Sequence, residues 1–84
     1  MTNYFIMCRS LTFAQRGARL LERAGIFASL MRAPQGLGAE GCAYCLKITE
    51  RRVSEAVGII RGAGLGPGRI YKSDGQEGYI EVSV

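Results

Sequence analysis

Tyr4-Phe5-Ile6-Met7-Cys8, an unbroken apolar run between Asn3 and Arg9, opens the chain. A run this short without polar alternation reads as a central strand with both faces covered. The period then changes. Phe13, Ala14, Gly17, Leu20, Leu21 and Ala24 fall on one helical face, while Arg16, Arg19 and Arg23 fall on another. Ser10 or Thr12 can cap this helix, and Gly25 can end it because glycine takes positive φ at no steric cost. The arginine face reads as a solvated helix surface before it reads as a docking surface. From Ile26 to Arg32 the pattern alternates with period two and predicts a second strand, closed by Pro34, which cannot donate to a ladder.

Pro34 to Glu40 offers little to pack, and its glycines predict a loop that is mobile from Gln35 to Gly41. Leu46-Lys47-Ile48 resumes the alternation as a third strand. Thr49 before Glu50-Arg51-Arg52 reads as an N-cap with an acidic first turn. Val53, Ala56, Val57 and Ile60 then repeat at i, i+3, i+4 and i+7, which predicts a second amphipathic helix. Gly62 to Gly68 ends it. This stretch fails as a phosphate loop, because Pro67 or Arg69 stands at the third glycine position and because it follows a helix instead of opening one. Arg69–Lys72 and Tyr79–Val82 complete the pattern as two strands around an Asp74-Gly75 hairpin turn.

The order β-α-β-β-α-β with a further C-terminal strand predicts one α+β domain over residues 1–84. Its architecture is a ferredoxin-like plait: an antiparallel sheet with both helices on one face. In that plait the first and third strands are antiparallel neighbours. Cys8, Cys42 and Cys45 are therefore expected together at one end of the sheet, with Arg9, Arg69 and the first turn of the first helix close by.

Composition narrows the function classes. At 84 residues there is room for one modest core. An apolar fraction of 48% with 21% charged residues argues against disorder. The net charge of +4 comes from eleven basic residues scattered among seven acidic ones, so it reads as a general solvated surface and not as a phosphate-tracking patch. Tyr4 to Cys8 is too short for a signal peptide, Arg9 ends it, and no run approaches the ~20 apolar residues that span a bilayer. A cytoplasmic location follows as the expectation, with thiols kept reduced and no membrane partner.

The three cysteines carry whatever chemistry the chain has, since it contains no histidine. Cys8, inside an apolar strand, reads first as a small core residue. Cys45 alternates with Leu46 and should point away from the helix-covered side, to the open sheet face or an interface. Cys42, beside Gly41 in a loop, is the one that packing explains least. A thiolate there would be stabilised by Arg9 and by the helix start at Ser10–Thr12. Cys42-x-x-Cys45 enters a strand, not a helix, which removes the dipole support of a thioredoxin-type pair. Three sulfurs alone are too few for a zinc site, so no metal or cofactor is expected.

Two stretches also resemble a known family. Tyr4-Phe5-Ile6-Met7 followed by Ser10-Leu11-Thr12, and Pro34 through Gly41-Cys42-Ala43-Tyr44, are similar to the opening strand and the glycine-cysteine segment of the selenium/sulfur carrier family of small bacterial domains. Cys42 matches that family's characteristic cysteine, whereas Ala43 stands where glycine is usual and Gln35 where a basic residue is common. The resemblance implies a cysteine that holds sulfur or selenium as a persulfide or selenosulfide for delivery to another protein. On that reading Cys42 is the carrier thiol, Cys45 and Cys8 are candidate resolving thiols, and Arg9 favours the thiolate. The partners are donor and acceptor proteins, and the chain is not an enzyme with its own turnover. The alternative is an interaction module without chemistry, such as a homodimer through the sheet or its edges. RNA binding ranks last, because it needs exposed aromatics on the two central strands.

Overall fold

A computed structural model describes residues 2–33, 44–66, 68–73 and 78–84. Five strands and two helices follow in the order β1 (Asn3–Cys8), α1 (Leu11–Arg23), β2 (Ser29–Arg32), β3 (Tyr44–Thr49), α2 (Val53–Gly62), β4 (Ile70–Ser73) and β5 (Tyr79–Val82). The sheet runs β2-β3-β1-β4-β5, and every neighbouring pair is antiparallel. The chain is thus α+β, with a five-stranded antiparallel sheet and two helices. β1 holds the middle, as its apolar run requires, between β3 and β4.

Alternation along the strands sorts the core into two layers. Ile6, Cys8, Leu46, Ile48 and Ile70 meet Ala14, Leu21, Val53, Ala56, Val57 and Ile60 of the helices in the main core. Both helices therefore cover the same face. On the other face Phe5, Met7 and Cys45 form a smaller cluster with Met31, Ala33 and Tyr71. Gly17 lets α1 come close to the sheet, because a Cβ there would stand 3.1 Å from Leu46 Cδ1 and 3.8 Å from Ile60 Cδ1.

The helix ends explain where the expected boundaries shift. Ser10 caps α1, its Oγ accepting from the Phe13 N–H at 3.3 Å. At the other end Gly25 takes φ +81°, its N–H bonds to Glu22 O, and the Ile26 N–H bonds to Leu21 O at 2.8 Å. This is the two-bond helix stop, with buried Ile26 and Leu21 as its apolar clasp. Ile26 is consequently tied to the helix, and the second strand begins at Ser29, not at Ile26. Gly64 (φ +74°) closes α2 the same way, with Leu65 N–H on Ile60 O and Gly64 N–H on Arg61 O.

Thr49 does not cap α2. It precedes a short 3₁₀ turn, Glu50–Arg52, without a side-chain capping bond, and Arg52 takes the N-cap position of α2. Arg52 compensates by pairing with Glu55 at 3.1 Å and by donating to Gly25 O at 3.3 Å, which joins the start of α2 to the end of α1. The fourth strand starts at Ile70, one residue later than the pattern suggested, although Arg69 O still accepts from the Met7 N–H at 2.9 Å. Pro34, Pro67 and the Asp74-Gly75 turn lie outside the described residues.

Candidate functional site

The antiparallel register of β1 and β3 decides which cysteines meet. Cys8 lies opposite Tyr44, and Met7 lies opposite Cys45, so both sulfur-bearing residues sit at the same end of the two central strands. That much of the expected convergence is present. Cys42 and the Gln35–Gly41 loop lie outside the described residues. Cys42 precedes Tyr44 by two positions in the chain, and Tyr44 is the residue that faces Cys8.

Cys8 and Cys45 nevertheless point away from each other. Cys8 belongs to the helix-side core, is 8% exposed, and directs its Sγ at Ile6 O, 3.6 Å away. Cys45 belongs to the opposite cluster and is 0% exposed, enclosed with Phe5 and Met7. The expectation that Cys45 points away from Leu46 holds, but the outward direction leaves it no access to solvent. Neither sulfur is in a disulfide. The sheet lies between them.

Positive charge gathers at this end. Arg9, directly after Cys8, is exposed, and its guanidinium carbon lies 5.3 Å from the centre of the Phe13 ring. This cation–π contact draws Arg9 over the first turn of α1. That turn contains no acidic residue, so no carboxylate within it offsets the partial positive charge of the helix start. Arg69 stands beside Met7 through its backbone, while its side chain reaches Glu81 at 3.9 Å in an exposed pair. Gly68 makes this approach feasible, because a Cβ there would come within 3.1 Å of Met7 O. Arg32 was not singled out from the pattern, yet it lies opposite Tyr44 and over its ring at 5.9 Å. Arg32 ends β2 and Tyr44 begins β3, and their juxtaposition comes from the observed register, which the hydrophobic pattern alone did not specify.

Among the described residues no three His, Cys, Asp or Glu side chains stand close enough to hold a metal ion. No helix among them is long and apolar enough to cross a membrane. A stacking platform for RNA is also lacking on the helix-free face of the two central strands. Phe5 of β1 is buried there, its ring edge-on to Tyr79 at 5.4 Å, and β3 presents Cys45 and Lys47.

A family model described as "Putative Se/S carrier protein-like" matches residues 3–72, which takes in both helices and the first three strands and runs into β4. The chain belongs to this family. Membership of a carrier-like family implies transfer partners in general. No curated protein and no solved structure matches the chain. The match stops short of β5.

Proposed function

We propose that this Se/S carrier-like protein holds a sulfur or selenium atom on Cys42 and hands it to an acceptor protein. The observation that carries the reading is family membership over residues 3–72, joined to the cationic character of the sheet end where β3 begins. In loading, the Cys42 thiolate attacks the outer sulfur of a donor persulfide. A new S–S bond forms on Cys42, and the donor leaves as its thiolate. In delivery, an acceptor thiolate attacks that same outer sulfur and Cys42 is released as the thiolate. Atoms and electrons balance in both steps, and no external oxidant is needed. Arg9 favours the anionic sulfur in each resting state.

Cys45 and Cys8 are the candidate internal resolving thiols. Their burial on opposite faces favours release by an acceptor thiol over release by either of them, since a buried thiol must first be exposed by local opening. The strand order β2-β3-β1-β4 supports reading the fold as a ferredoxin-like plait with β5 added at its edge. A cytoplasmic location suits a thiol carrier, which requires a reducing compartment.

The test is intact-protein mass spectrometry after incubation with glutathione persulfide. Wild type should gain the mass of one sulfur atom, reversed by dithiothreitol. Cys42→Ser should gain none, and Cys45→Ser should load as wild type does. Loading that survives in Cys42→Ser would overturn the assignment.

A further inference from the structure

Arg16, Arg19 and Arg23 stand at i, i+3 and i+7 on α1 and line one groove with Leu20, Ala63 and Leu65. The groove has a volume of about 320 Å³ and runs between α1 and the segment that leaves α2. Arginine and apolar side chains line it together. None of the three arginines pairs with a carboxylate among the described residues, and Glu22, the acidic residue of α1, does not line the groove. Like charges at this spacing along one helix repel each other and weaken it by tenths of a kcal/mol per pair. Arg23 suits the last turn of α1, whereas Arg16 and Arg19 stand within the helix and have no such role at its end.

We propose that this groove is the docking surface for an acidic amphipathic segment of a partner protein. The inference rests on the carrier reading in one respect, that such a protein must dock on a donor and an acceptor. Three features select the occupant. Arg16 and Arg23 are seven residues apart, about 10 Å along the helix axis, so one phosphate-sized ion cannot engage all three guanidiniums. A row of carboxylates with helical spacing can, each accepting paired N–H bonds from a planar fork. Second, Leu20, Ala63 and Leu65 give an apolar side chain a place to bury, which a sugar–phosphate chain would not use. Third, no aromatic residue among the described residues lines the groove, so bases have nothing there to stack on. An antiparallel helix with carboxylates at i, i+3 and i+7 and a leucine between them meets charge with charge and covers the apolar lining.

A synthetic peptide of about 15 residues with that pattern, long enough to form a helix, serves as the probe. Binding is followed by amide chemical shifts on the full-length protein. Shifts should map to residues 16–23 and 63–65 and fade with added salt. Arg19→Glu should weaken binding about tenfold or more, and Arg19→Lys less, because an ammonium lacks the planar fork. A scrambled peptide of the same composition should bind markedly less. Equal binding of the scrambled peptide, no binding, or shifts elsewhere would overturn the proposal. So would saturation of the same residues by inorganic phosphate, or tighter binding there of a single-stranded RNA oligonucleotide. Cys42→Ser should bind the peptide unchanged, and Arg19→Glu should still load from glutathione persulfide. Failure of docking and failure of chalcogen loading are therefore read separately.

Discussion

The contact between Gly17 and Leu46 gives a quantitative test of how α1 lies on the sheet. Leu46 is fully buried in the central strand β3, and a methyl added at position 17 would stand 3.1 Å from its Cδ1. Optimal carbon–carbon contact is ~3.5–4 Å, so Leu46 must yield by some tenths of an ångström. Gly17→Ala alone therefore carries two opposed effects. Replacing glycine inside a helix contributes about 1 kcal/mol, and crowding a packed core costs about 1–3 kcal/mol. The net effect should lie between neutral and about 2 kcal/mol of destabilisation. Leu46→Ala alone should cost about 3 kcal/mol, as large-to-small core changes do. In that background the crowding vanishes. The added methyl then enters vacated space, and Gly17→Ala should restore about 2 kcal/mol: ~1 from helix propensity and ~0.8 from methyl burial. The double-mutant cycle, measured by urea unfolding at constant m-value, should thus return a coupling of roughly 2–4 kcal/mol. A coupling under about 0.5 kcal/mol would mean that the two sites do not touch, and the placement of α1 would be wrong.

Other outcomes follow from the helix ends and the thiols. Gly58→Ala, with open space around its Cβ position, should stabilise by about 0.5–1 kcal/mol, whereas Gly64→Ala, at φ +74°, should destabilise by about 1 kcal/mol; equal signs in thermal unfolding would refute the helix stop. Ser10→Ala should cost about 1 kcal/mol through loss of the cap on the Phe13 N–H, and Ser10→Asp should restore it. Iodoacetamide should label one thiol quickly in native protein and the remaining two only as fast as the fold opens, because Cys8 and Cys45 are shielded. Uniform labelling of three thiols in the absence of denaturant would contradict that burial.

The strands and helices were legible because burial writes a period into the chain. Val53, Ala56, Val57 and Ile60 are the buried residues of α2, as their spacing required, and Tyr4 to Cys8 lies in the middle of the sheet. The boundaries that shifted did so where one residue serves two patterns. Ile26 alternates like a strand residue, but its N–H is taken by Leu21 O, and a hydrogen bond outranks a short alternation. Thr49 has the chemistry of a cap and remains in extended backbone one turn too early. For the sulfurs, period two correctly turned Cys45 away from the helix-covered side, while Cys8 was read only as a core residue and its face was not assigned. Alternation carries no information on what covers a face, so the closure of Phe5, Met7 and Met31 around Cys45 could not be read from it. Cys42, the residue on which the carrier reading turns, was marked by its neighbours in sequence and by family likeness, not by periodicity.

β5 has a consequence for how copies of this protein meet. The family match ends at Lys72, inside β4, whereas β5 lies beyond it and pairs with β4 from Ile70↔Val82 to Ser73↔Tyr79. Without those last strand residues, one side of the β4 backbone would be an unfilled template for any extended segment. The tail occupies that template from within the same chain, at an effective concentration that no second molecule in dilute solution can match. A protein cut after Lys72 would lose this internal competitor, and its β4 could recruit the Tyr79–Val82 strand of an intact copy. β5 thus denies the β4 backbone to a second copy, while its removal would turn the same hydrogen bonds into an adhesive.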